Sequence, residues 1–303
     1  MKRYLNRNAA CAIVLSLLLL IMGCGTQNLP QVSPYNAVYS NLVDRQSQEV
    51  LRAALEDAGV QKTYVDVLLE SVAKYNDAVG SILPVKNGFE VFTINSASVY
   101  DADKLKKKWK KEYNGLTGRK NCRITAYEAM GSLISYDSSF EMTEPLLLVE
   151  IEDSTVFQSK ADIEKFSVLF NGIETYEDIG AALQAEQVIE YWSQAGIDFS
   201  KSNKISLISI WFNGSDLYNN DNERYILHCG HAAVLIYTEN DGVLLLEKLD
   251  YNFPYQLIKF PSEELALKYI VEFNCGEIKD SAIIPIVFVN DQLLRTENDR
   301  LVY

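Results

Sequence analysis

The chain has 303 residues, with 41 acidic against 28 basic, a formal net charge of −13 and only two histidines. That balance excludes nucleic acid as a partner, since such binding rests on Lys and Arg neutralising phosphates. Hydrophobic residues make up 48% of the chain, ample for a core, and the five cysteines are too few and too widely spaced for a disulfide framework.

Residues 1–23 read as an export signal. "MKRYLNR" carries Lys2, Arg3 and Arg7 and no acid, and an apolar run from Ala9 to Met22 follows. The run falls short of the about 20 residues that span a bilayer, and a basic start with a short apolar core is the secretory pattern. It ends in "LIMGCG", which resembles a bacterial lipobox, with Met22 where a small residue is usual. The resemblance implies that Cys24 is acylated and becomes the first residue of the mature protein. The lipid bilayer is then a partner, and the location is the cell membrane, lipid-anchored and facing outside the cytoplasm. A cell-wall peptide or another envelope protein is a further candidate partner.

Residues 24–40 read as a flexible tether, since "GTQNLPQVSPYN" (25–36) has two prolines and little to bury. A single domain is expected over 41–303, helical over about 41–195 and sheet-forming over about 196–303. From Asp44, Val50, Leu51, Ala54 and Leu55 recur on one face, with Gly59 at a helix end. A second helix from near Thr63 carries Val65, Leu68, Leu69, Val72 and Tyr75. "KLKKKWKKEY" (104–113) reads as a solvated helix face with Trp109 turned inward; contact with anionic lipid heads or wall polymers is the alternative. Helix signals return from Lys160 to Gln194. Then come short β-rich runs, "ISLISIWFN", "GHAAVLIYTE", "GVLLLEKL", "YQLIKF" and "AIIPIVFVND". "TENDG" (238–242) marks a hairpin turn, and "SEELALKYIVEF" is one intervening helix with Ser262 as its N-cap. Helices first and an antiparallel sheet last give an α+β fold.

Chemistry concentrates at "GRKNCRITAYEAM" (118–130). Asn121 is a favoured N-cap, so Cys122 falls in the first turn of a helix, where unpaired N–H groups and the helix dipole favour a thiolate. A cysteine nucleophile needs a base. The two histidines, His228 and His231, lie in "LHCGHAAVLIY", where Gly230 marks a loop-to-strand join and His231 a strand start. A carboxylate must then orient the imidazole, and "LLLEKLDYN" offers Glu247 and Asp250. A two-residue turn sets His231 opposite Asp250 or Asn252 and leaves Glu247 roughly 10–13 Å down the ladder. The alternative partners for Glu247 are Lys248 and Arg123. His228, Cys229 and His231 are also metal-ligating types, but they crowd into four residues with no distant cluster to complete a site. No cofactor or metal is assigned.

A cysteine at a helix start, a histidine on a strand and a carboxylate on the next strand resemble the papain-like superfamily, whose orienting residue commonly follows the histidine by about sixteen positions; this comparison favours Glu247. More narrowly, "GRKNCRITAYEAM", "GHAAVLIY" and "LLLEKLDYNFPYQLIKF" resemble a family of bacterial lipoproteins labelled domain of unknown function 4300. The resemblance implies a papain-like arrangement in which Cys122, His231 and Glu247 are catalytic, with Asp250 as the alternative orienting residue. The oxyanion glutamine usual in such enzymes is absent, leaving Asn121 and Asn114 as candidates. The expected activity is a cysteine peptidase, amidase or acyltransferase acting near the envelope. The alternative is a catalytically inactive binding or structural lipoprotein on the same scaffold.

Overall fold

The computed structural model describes residues 35–92, 100–112, 120–142, 157, 159–176, 179–216, 221–239, 242–275 and 285–295. Residues 1–34, on which the expected export signal and the expected acylation at Cys24 fall, lie outside them. Among the described residues six helices precede the main run of strands: α1 (Arg45–Asp57), α2 (Lys62–Val79), α3 (Ala102–Glu112), α4 (Cys122–Met130), α5 (Lys160–Phe170) and α6 (Ala181–Gln194). A seventh, α7 (Glu263–Cys275), interrupts that run. The strands are β1 (Val38–Ser40), β2 (Glu90–Val91), β3 (Ile173–Thr175), β4 (Ile205–Asp216), β5 (Asp221–Tyr237), β6 (Val243–Lys248), β7 (Tyr255–Phe260), β8 (Ile286–Val289) and β9 (Gln292–Arg295). They form one antiparallel sheet in the order β2-β1-β7-β6-β5-β4-β8-β9, with β3 also on β5. The fold is α+β, with the helices mostly N-terminal.

Local chemistry sets the helix ends. The Asp44 side chain caps the Ser47 N–H at 2.9 Å, and Gly59 leaves α1 at φ +88°. Helix α2 buries the expected stripe of Val65, Leu68, Leu69, Val72 and Tyr75. Helix α3 turns Leu105 and Trp109 inward and leaves most of its lysines exposed, as a solvated face requires. Ser262 Oγ accepts from the Leu265 N–H at 3.3 Å, the expected cap of α7.

Period-two alternation along β5–β7 divides the interior. Val234, Ile236, Leu244, Leu246 and Leu257 face a core shared with α1, α2 and α4–α6. Ala233, Leu235, Leu245, Ile258 and Phe260 face a second core covered by α7.

Three short strands depart from the sequence reading. Val38–Ser40 pairs with β7, and Tyr35 is buried against Phe260 and Tyr269, so residues 35–40 belong to the packed domain and not to a tether. The helical stretch from Lys160 to Gln194 is broken by β3, which pairs with Tyr225–Leu227. Strand β9 pairs β8. At three or four residues each, these strands carry too little periodicity to read locally, and pairing alone stabilises them.

The β5–β6 hairpin pairs Tyr237 with Val243 and Ala233 with Glu247. Its loop is residues 238–242, longer than the two-residue turn expected, and is closed by the Thr238 N–H on Gly242 O at 3.1 Å. Gly242 has φ +72°, and a Cβ there would meet Phe260 O at 2.3 Å. Both strain and backbone overlap oppose a side chain. Gly242→Ala is expected to lower the unfolding free energy by about 2–3 kcal/mol, read in a urea melt.

Candidate active site

Cys122 opens α4. The Asn121 side chain caps the Ile124 N–H at 3.1 Å, and the Thr125 N–H bonds to Asn121 O at 3.0 Å. The approach to this turn is pinned by Lys120, paired with Glu128 further along α4 and bonded to Ser71 Oγ of α2 at 2.6 Å. The thiol therefore sits on a fixed helix end.

That end meets β5 where the sheet is open. On one side of β5, β4 pairs along its length; on the other, β3 stops at Leu227 and β6 begins at Ala233. Residues 228–232 lie between. The Cys122 sulfur occupies this interval, accepting from the Ala232 N–H and lying 3.9 Å from Gly230 O. Arg123 Nη1 donates to Cys229 O at 3.1 Å.

The strand is also bulged here. Ile210 pairs His231 but Trp211 pairs Cys229, leaving Gly230 as the extra residue. A Cβ at Gly230 would fall 2.6 Å from Phe212 Cδ2, so the bulge needs glycine. His231 is thus in the middle of a long strand; Gly230 marks a bulge and not the loop-to-strand join read from the sequence.

Cys122 and His231 are hydrogen-bonded. His231 Nε2 stands 3.6 Å from Glu247 Oε2, an ion-pair distance longer than an ordinary hydrogen bond. Nδ1 is then the nitrogen left for the sulfur. Cys122 and His231 are 6% and 7% exposed, and Glu247 is fully buried. Glu247 pairs Ala233, two residues from His231 on the same face, so it reaches the imidazole diagonally across the hairpin.

Burial alone would push the Cys122 pKa up. The hydrogen bond from His231, the His231 and Arg123 charges and the Ala232 N–H outweigh it and hold the thiol below its ordinary value. Burial likewise pushes His231 down, but the hydrogen bond with Cys122 and the nearby Cys122 and Glu247 charges raise it to about 10. Each partner stabilises the charged form of the other, so a thiolate–imidazolium pair is favoured.

The other candidates fall elsewhere. The Asp250 carboxylate accepts from the Tyr251 N–H at 2.5 Å and faces Asn252 Nδ2 at 3.5 Å; it belongs to its own turn. Asn121 spends its side-chain oxygen on the helix cap. Asn114 lies outside the described residues. Cys229 aims its thiol at His231 O, 3.2 Å away, while His228 lies beside Phe212. Desolvation and the Arg123 charge hold His228 below the usual imidazole value. Among the described residues no three potential ligands converge on one point.

Lys248 was read only as an alternative partner for Glu247. It points to the opposite face, where it is 1% exposed. Its ammonium donates to Asp250 O (3.2 Å), Tyr251 O (3.3 Å) and Phe253 O, over the rings of Tyr75 (4.3 Å) and Tyr255 (4.9 Å). Burial lowers its pKa to about 7, partly offset by the charges of Asp250 and Cys122. A lysine ending the apolar run "VLLLEK" was the available sequence signal. Because the folded pKa lies below the unfolded one, the unfolded chain binds more protons between about 7 and 10.5. Through this group stability therefore rises with pH across that window. Lys248→Met is expected to abolish that rise and, by leaving buried carbonyls without the amine N–H groups they accept from, to cost roughly 2–4 kcal/mol at pH 8, where Lys248 is mostly neutral. Denaturant melts from pH 6 to 10 check both.

The protein is thus an α+β domain with a thiol, an imidazole and a buried carboxylate aligned across the open side of one strand. The chain belongs to the family described as Domain of unknown function (DUF4300), whose model matches residues 38–294. No curated protein and no solved structure matches it.

Proposed function

We propose that the protein is an exported, lipid-anchored cysteine hydrolase or acyltransferase of papain-like mechanism, acting on amide or peptide bonds at the cell envelope. The observation that carries this reading is the hydrogen-bonded Cys122–His231 pair at a helix N-terminus, backed by Glu247. Such a pair supplies a nucleophile already ionised and an acid already protonated. The thiolate adds to the carbonyl carbon. The oxyanion that forms is met by N–H groups of the first turn of α4. The imidazolium then protonates the departing amine, and a thioester on Cys122 remains. Neutral His231 next takes a proton from water, whose oxygen displaces the thiolate and frees the acid. With an amine in place of water the same step is acyl transfer. Glu247 orients the ring and balances its charge throughout. Export and acylation at Cys24 rest on "LIMGCG", and a wall peptide as substrate rests on that compartment.

The test is to incubate the full chain with peptide thioesters and p-nitrophenyl esters, mapping acyl adducts by mass. An acyl group on Cys122 with release of acid, absent in Cys122→Ser, supports the hydrolase. The slight exposure of the sulfur favours a second reading, a binding or structural lipoprotein on the same scaffold. Adducts no more frequent on Cys122 than on Cys229 would favour it.

A further inference from the structure

We propose that Tyr269 and Gln256 are positioning residues of this site, clamping one oxygen of Glu247 so that the other is aimed at His231. The proposal rests on the reading of Cys122 and His231 as a reactive pair and adds the residues that hold the third member in place.

Two observations carry it. The first is how the two carboxylate oxygens divide their partners. Glu247 Oε1 accepts from Tyr269 OH at 2.7 Å and from Gln256 Nε2 at 3.1 Å. Among the described residues neither Glu247 Oε2 nor His231 Nε2 has a hydrogen-bond partner; both atoms are buried, and they face each other at 3.6 Å. A carboxylate gripped at neither oxygen would present no fixed face to the imidazole, and one gripped at both would have its acceptor sites largely spent. Gripped at one, it cannot exchange its oxygens without breaking two buried hydrogen bonds, a costly step in a site closed to water.

The second observation is the direction of the hydrogen bonds behind Gln256. The Val85 N–H can only donate, and it donates to Asn41 Oδ1 at 3.2 Å. Asn41 therefore turns its amide nitrogen to Tyr100 OH, at 2.6 Å. Tyr100 accepts there, so its own proton goes to Gln256 Oε1, at 2.8 Å. Gln256 is left with its Nε2 toward Glu247, where it needs an acceptor. The main-chain N–H of Val85 thus fixes, through the Asn41 and Tyr100 side chains, the orientation of the Gln256 amide that grips Glu247. The pairing of β6 with β7 places Gln256 directly opposite Glu247, while Tyr269 reaches it from α7. None of the four side chains touches Cys122 in this chain of bonds; their effect on the sulfur passes through Glu247 and His231.

The experiment uses the full-length chain and measures the pH midpoint of iodoacetamide alkylation at Cys122 by peptide mass mapping. Tyr269→Phe and Gln256→Leu each remove one grip on Oε1, and His231→Ala marks the limit of a thiol without its imidazole. Val271→Ala loosens the same helix at a buried position outside this hydrogen-bond chain and controls for general loss of packing. The expected result is an upward shift of about half a unit or more for Tyr269→Phe and for Gln256→Leu, ~3-fold in thiolate fraction below the midpoint, with none for Val271→Ala. If Tyr269→Phe fails to fold, Gln256→Leu carries the same reading. The proposal is overturned if both variants keep the parental midpoint while His231→Ala raises it, which leaves the reactive pair standing without these residues. It also falls if the parental midpoint is that of an ordinary thiol, and in that case the reactive pair itself has failed.

Discussion

His231→Ala is expected to raise the pH midpoint of Cys122 alkylation from below the ordinary thiol value to about 8.5 or above. The physical reason is that four influences lower the thiol against its burial, and two of them belong to His231: its hydrogen bond and its charge. Without them the Arg123 charge and the Ala232 N–H remain, and burial is opposed more weakly, so the thiolate forms only at higher pH. Turnover of a reporter ester should fall ~10²–10⁴-fold, the usual contribution of a positioned acid–base group. Alkylation between pH 5 and 10, with Cys229 followed in the same digests as an internal reference, reads the first effect. A midpoint unchanged by the substitution would separate the thiol from the imidazole.

Glu247→Ala is expected to cost more stability than any other single change in the site, about 3–5 kcal/mol, because it strands buried partners on three elements. Tyr269 OH and the Gln256 amide lose their acceptor, and His231, hydrogen-bonded to Cys122, loses its counter-charge. Glu247→Gln keeps the shape and one acceptor and should cost clearly less, yet it removes the charge that helps raise His231. The sign of the pH effect follows. A histidine whose folded pKa lies above its unfolded value stabilises the fold fully below about pH 6.5, and that contribution is lost as pH rises toward 10. In Glu247→Gln this falling limb still begins near pH 6.5 but should end at lower pH, so less stability is lost across it. Chemical denaturation of the parent and both variants at pH 6, 8 and 9.5 distinguishes the outcomes.

How much of this was legible in the sequence depended on the range of the interaction. Asn121 as a cap and Cys122 as the first helical residue follow from "NCRITAYEAM" alone, because capping is decided within four residues. The stripe of α2 and strands β4–β7 were legible from periodicity. The partner of His231 was harder. Counting back from a two-residue turn put Asp250 opposite it; the real loop is residues 238–242, so each pair sums to 480 and Glu247 comes within diagonal reach. The only hint of that loop length was Gly242, which its positive φ requires. Tyr269, Gln256, Tyr100 and Lys248 were not legible as parts of the site, since each is brought in by strand pairing or by a helix on another face. Their trace was a polar residue within or closing an apolar run, as in "YQLIKF" and "VLLLEK", which says that a partner exists but not which one.

The most direct test of the account uses the fact that the chain has two histidines. Ring-labelled histidine NMR across pH 5 to 10.5, on the parent and on protein whose Cys122 has been blocked with an uncharged carboxamidomethyl group, follows both imidazoles at once. The account predicts one ring that keeps its proton to about pH 10 and releases it at clearly lower pH once Cys122 is blocked, and a second, His228, that titrates below the usual imidazole value. Two rings that both titrate near ~6.5, neither responding to the state of Cys122, would contradict it.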